Sequence, residues 1–135
     1  MGKYTALQLD VFSVFASQAW KDEAILTVPD NVPQGAEGKD YIRVSVLASG
    51  RGINRASASG LVMVDIFTSA GRGPSAAAVI ADTLDSYLAN KQLATAAAGV
   101  TQFGSSSFAP KGTDPANATL FRSTFTIPFN YFGVL

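Results

Sequence analysis

Residues 60–88 read GLVMVDIFTSAGRGPSAAAVIADTLDSYL, and two periodicities meet inside this run. Leu61, Val62, Met63, Val64, Ile66 and Phe67 are apolar almost without interruption. That pattern predicts a central strand over 60–69, buried on both faces. Ala70-Gly71-Arg72-Gly73 breaks the strand, because glycine pairs favour turns. Pro74 suits the first position of a helix, where its missing N–H costs nothing. From Ser75 to about Gln92, Ala77, Ile80, Ala81, Leu84 and Leu88 form an apolar stripe. Asp82, Asp85, Ser86 and Asn90 lie away from it, the signature of an amphipathic helix. Lys91 is expected in the last turn, where a cation suits the helix dipole. The alanine-rich stretch to Ala98 prolongs or frays that helix.

Upstream, Tyr41 to Ser49 alternates: Ile42, Val44, Val46 and Ala48 on one face, Tyr41, Arg43, Ser45 and Leu47 on the other. This is a strand by its period of two. Residues 50–59 make a small, doubly basic loop, so 41–69 is expected to be a long hairpin with a flexible tip. Residues 29–40 are turn chemistry with two prolines. Ala24 to Val28 is a short strand. A helix is expected from Ala6 to Ala19, with Thr5 and Gln8 as a capping box and Trp20 packing at its end. Downstream, Gly99 to Phe103 is a short strand and 104–117 a second mobile loop. Ala118 to Tyr131 closes the chain as a strand, with Phe121, Phe125, Ile127 and Phe129 on one face and Arg122, Thr124 and Thr126 on the other. Pro128 has no N–H to give a ladder, so this strand belongs at an edge or ends its pairing there. The expected fold is α+β: one domain over 1–135, a mainly antiparallel sheet of four to five strands, and two helices packed on one face.

A chain of 135 residues fits one domain. It has no histidine and no cysteine. That excludes Ser-His-Asp and Cys-His chemistry, imidazole and thiolate metal sites, and disulfides. Ten basic and ten acidic side chains cancel, so no overall field draws in nucleic acid or membrane. Charged residues make up 15% of the chain, against about 25% in ordinary domains. Part of the surface is therefore expected to be covered by other subunits. The first ten residues lack the apolar core of a signal peptide, and the apolar runs fall short of the ~18 residues that span a bilayer. The protein reads as soluble and unexported.

The pattern Gly71-x-Gly73-x-x-Ala76 between strand and helix resembles a dinucleotide fingerprint. That fingerprint needs an acidic residue roughly 20 positions on, and residues 91–107 hold none. A turn before a helix is the simpler reading. Simple anion capture, or a small ligand- or nucleotide-binding site at the Gly71–Ser75 turn, is the alternative from another functional class. Asp82 and Asp85 would suit a hard cation, but such pairs are more often a solvated or interface-facing helix side. Arg51, Arg55 and Arg72 on loops suggest docking surface. With Asp82, Asp85 and Arg122 they form the candidate partner interface. No catalytic residue, cofactor or metal site is assigned. Asn117-Ala118-Thr119 matches a glycosylation pattern by chance.

The order of these pieces resembles the tail terminator (tail completion) family of long-tailed bacteriophages. The matching residues are Tyr41, Arg43 and Val44, then Gly60, Leu61, Val64, Asp65, Ile66 and Phe67. Gly71, Gly73, Ala81, Asp82 and Leu84 follow, then Pro128 and Phe129. The resemblance covers most of 41–131. It implies a structural virion protein, not an enzyme. Such proteins form a homohexameric ring on the head-proximal end of the tail tube. The implied partners are further copies of the chain, the tail tube protein, a head-completion or neck protein, and DNA passing through the lumen. No membrane is involved, and assembly takes place in the host cytoplasm. The 50–59 and 104–117 loops are expected to meet the tube or neck. A head-completion or tail-tube subunit is the nearest alternative.

Overall fold

A computed structural model describes residues 2–31, 39–94 and 99–134. Helix α1 (Lys3–Ala16) buries Ala6, Leu7, Asp10, Val11 and Phe15 along one face. It starts three residues earlier than expected, with Gly2 at the N-cap. Thr5 therefore lies within the first turn, and no side chain caps the helix. It also stops early, at Ser17. The Ser17 hydroxyl donates to the Val14 carbonyl at 2.6 Å and accepts from the Trp20 N–H at 3.3 Å. Serine competes for backbone groups in this way, and a separate short helix α2 (Gln18–Asp22) begins there. Trp20 turns into the core, edge-on to Phe15 and Tyr87, with its indole N–H on Thr27 Oγ1 at 2.9 Å.

The strands are β1 (Leu26–Pro29), β2 (Tyr41–Arg51) and β3 (Ala58–Ser69), then β4 (Gln92–Leu93), β5 (Gly99–Phe103), β6 (Ser107–Asp114) and β7 (Asn117–Gly133). Helix α3 (Ser75–Leu88) lies between β3 and β4. The sheet runs β1-β2-β3-β7-β5-β4, with β6 also paired to β7. The α+β class stands, but among the described residues the sheet has seven strands rather than four or five, and the helices number three. It is mixed, because β1 pairs parallel to β2 while the other pairs are antiparallel.

Strand β6 replaces most of the loop expected over 104–117. Its sequence SFAPKGTD has no alternation and carries a proline and a glycine, so it reads as a breaker. Pairing to β7 holds it in place, with the irregularity confined to Pro110/Gly112 and Thr113/Asp114. A bulge is where a sheet tolerates such residues. Asp114 Oδ1 accepts from the Ala116 N–H in the turn to β7, a standard aspartate turn contact.

Strand β7 is not an edge strand: it pairs β3 on one side and both β5 and β6 on the other. Pro128 stands where the second side changes partner, between Phe129 opposite Phe103 of β5 and Thr126 opposite Ser107 of β6. Its carbonyl accepts from the Gly104 N–H at 2.9 Å. The missing donor thus falls in the gap between two neighbours.

Ile42, Val44, Val62, Val64, Ile66, Phe125, Ile127, Phe129 and Tyr131 form the sheet side of the core. Helices α1 and α3 cover it with Leu7, Val11, Ala77, Ala81, Leu84 and Leu88. Each such large side chain contributes roughly 1.5–3 kcal/mol by leaving water. The opposite face of β3 is not buried as expected. Leu61 is 40% exposed there, and among the described residues Val28, Tyr41, Phe67 and Leu120 form a small cluster that closes one end of it. A single helical layer leaves the other face open, so the apolar run misled. Helix α3 ends at Leu88, because Asn90 takes a left-handed conformation (φ 58°). Lys91 therefore lies beyond the last turn and precedes β4. Residues 32–38 and 95–98, where part of an expected loop and the alanine-rich extension fall, lie outside the described residues.

Candidate docking surface

The six candidate interface residues do not gather at one place. Arg51 ends β2 and Arg55 lies in the hairpin tip, both exposed. The tip is shorter and more built than a flexible 50–59 loop, since Gly50 and Arg51 still pair with Ser59 and Ala58. Asn54 Oδ1 accepts from the Ala56 N–H at 2.9 Å and from the Ser57 hydroxyl at 3.0 Å. The Ser57 hydroxyl accepts in turn from the Gly133 N–H at 3.1 Å. These bonds leave Ile53 at the apex, 78% exposed, between the two arginines.

Arg72 is at the opposite end of the hairpin, paired with Asp40, whose other oxygen accepts the Ser69 N–H at 3.1 Å. The pair ties the start of β2 to the turn after β3. Arg122 lies on the open face of the sheet. Its Nε and Nη2 donate to Asp65 Oδ1 at 3.2 and 3.1 Å, and the Thr124 hydroxyl donates to the same oxygen at 3.1 Å. Asp82 and Asp85 are exposed on α3, and the Ser106 hydroxyl donates to Asp85.

A groove that the sequence did not reveal runs between α3 and β6. Its larger part is a cavity of about 550 Å³, walled by Gly71, Gly73, Pro74, Ala78, Phe108 and Phe121 among others. A shallower part of about 210 Å³ continues past Ala81, Asp82 and Asp85. Ala78 and Phe108 line both parts. Phe108 is 40% exposed to it. The groove thus has an apolar floor and an acidic rim. The only signals for it in the sequence are a lone phenylalanine in the 104–117 run and the Asp82/Asp85 spacing.

The Gly71–Ser75 turn forms one wall of this groove. Gly71 and Gly73 both take positive φ, at 88° and 79°, which glycine adopts without strain. Pro74 occupies the N-cap, one position before the expected one, and no side chain caps α3. Among the described residues, no three of the metal-ligating side-chain types come together, and no helix is long and apolar enough to cross a membrane. Two phenols are pushed above their ordinary pKa. At Tyr87 burial acts first and the Glu23 carboxylate second, and the hydroxyl donates to Glu23 at 3.3 Å. At Tyr131 burial acts first and the Asp10 charge second. Neither tyrosine lines the groove.

No protein-family model matches the chain, and no curated protein matches it. A chain of the virion of a native gene transfer agent (GTA) particle is similar over 96% of this chain and 97% of its own, at 19% identity and a TM-score of 0.63. Another solved structure, whose description names no function, matches over 98% of this chain and 94% of its own, at 14% identity and a TM-score of 0.64. At these identities the likeness is one of fold.

Proposed function

We propose that the chain is a structural subunit of a phage-like virion, and within it the tail terminator. In this role it forms a ring on the head-proximal end of the tail tube, ends tube polymerisation and joins the tail to the neck. The observation that carries the reading is the end-to-end likeness to a chain of the gene transfer agent virion, over 96% of one chain and 97% of the other. The residue order of 41–131 points the same way. So does the chemistry of the chain, which has no histidine or cysteine and presents an apolar groove and an exposed hairpin tip. Its work is binding rather than catalysis. Its partners are further copies of itself, the tube protein and a neck protein, with DNA passing through without sequence-specific contacts.

Electron microscopy of the purified full chain, alone and mixed with the tube protein of the same particle, tests this. Discrete rings that cap tube ends and limit tube length are expected. Long tubes made by this chain alone would reassign it as a tube subunit. An inert monomer that leaves tube growth unlimited would overturn the proposal.

A further inference from the structure

We infer that the hairpin tip of one copy inserts into the α3–β6 groove of the next, so that Ile53 enters the apolar floor while Arg51 and Arg55 meet Asp82 and Asp85. The inference rests on the assembly of copies proposed above and specifies the contact that drives it.

The two surfaces are complementary in shape and in charge. The tip offers one large apolar side chain, 78% exposed and flanked by two arginines. The groove offers an apolar floor of Ala78, Phe108 and Phe121 with two carboxylates on its rim. Opposite charges beside a hydrophobic contact set register and disfavour wrong partners. The tip is preformed, because Asn54 and Ser57 hold its backbone. Little ordering is needed on docking, which favours affinity.

Position excludes insertion within one chain. The tip closes β2 and β3 at 51–58, while the groove lies beside the other half of β3: Ser69 and Gly71 wall it, and its Phe108 stands opposite Phe125, the partner of Val64. Six residues of strand separate Ala58, at the base of the tip, from Val64, at the level of Phe108, roughly 20 Å at about 3.3 Å per residue. Knob and hole on different parts of the surface make a head-to-tail contact. Such contacts close into rings when the rotation permits and run on as filaments when it does not. A second copy is therefore the occupant, rather than an unrelated peptide added to the free edge of β6.

The absence of native cysteine makes the test clean. Ile53→Cys and Ala78→Cys variants of the full chain, mixed and oxidised, should form a covalent dimer. The double variant should form a ladder of higher species. Val79→Cys lies next along α3 and is 63% exposed, yet it does not line the groove. It should cross-link at least about tenfold less. In a second arm free of cysteines, Arg51→Glu with Arg55→Glu should weaken self-association by roughly tenfold or more. Adding Asp82→Arg with Asp85→Arg to the same chain should restore it. Equal cross-linking at Val79→Cys, or assembly indifferent to the charge reversals, overturns the contact. If rings form while 53–78 cross-links do not, the contact fails and the terminator reading stands. If no assembly and no cross-link appear with or without tube protein, both fail.

Discussion

At the scale of single residues, the polar cluster under α1 was the least legible part of the sequence. Asp10 sits between Leu9 and Val11 and looks like the polar member of an alternating pattern. In the fold it is fully buried and accepts the Thr101 hydroxyl at 2.6 Å, across 91 positions of chain. Thr101 faces Tyr131 in the β5–β7 ladder, and Tyr131 is 1% exposed. Burial, with Asp10 nearby, raises the Tyr131 pKa above its ordinary value, about 10 for a phenol. The folded chain therefore keeps a proton that the unfolded chain releases, and stability falls as pH rises. The contribution is whole below the unfolded pKa and is lost as pH climbs through the folded one. Urea unfolding from pH 9 to 11 should show wild type losing stability faster than Tyr131→Phe, by at most about 1.4 kcal/mol per pH unit. Parallel pH profiles would refute this.

Elements that carry their own periodicity were legible. Strands β2, β3, β5 and β7 and helix α3 fall within a few residues of where alternation and the apolar stripe place them, because those patterns are the buried faces themselves. Elements defined by a partner were not. Strand β6 has no pattern of its own, and Pro128 acquires meaning only once β7 is seen to change neighbours. The groove joins α3 to β6, which are far apart in sequence, and no local window contains it. The β2–β3 hairpin shows how sharply a partner constrains one position. The register shifts between Leu47 and Gly50, and a Cβ on Gly60 would stand 1.8 Å from the Leu47 carbonyl oxygen and 3.0 Å from the Ala48 Cα. The obstacle is backbone, which cannot swing aside as a side chain can. Gly60→Ala should cost about 3 kcal/mol, the upper end of ordinary overpacking. Gly71 has open space but φ of 88°, so Gly71→Ala should cost only about 1–2 kcal/mol of left-handed strain. Urea midpoints in the opposite order would contradict the close approach at the bulge. Because Gly60 borders the tip, Gly60→Ala should also shift Arg51 and Ile53 and impair assembly.

For the molecule as a whole, the low charge fraction acquires a location. The face with Arg43, Asp65 and Arg122 carries internal pairing of its own, notably Arg122 with Asp65 at 3.1 Å. Besides Leu47 and Leu61 on that face, exposed apolar surface lies at the tip of the β2–β3 hairpin, with Ile53, and in the Phe108 groove beside the other half of β3. A closed head-to-tail ring uses both tip and groove of every copy, whereas an open dimer uses one of the two on each. Hydrogen exchange separates the two. In dilute solution the tip amides of residues 53–55 and those facing outward from β6 should exchange fast, since among the described residues β6 pairs with β7 alone. The interior ladder of β3 with β7 should be slow throughout. On assembly, both fast regions should slow together, in a single population. Two populations, each with only one region slowed, would mean that the contacts stop at dimers. Assembly also stabilises by mass action, so Tm should rise with protein concentration. That rise should vanish in the Arg51→Glu, Arg55→Glu chain while its Tm at low concentration stays that of wild type, because neither arginine supports the fold of the single subunit.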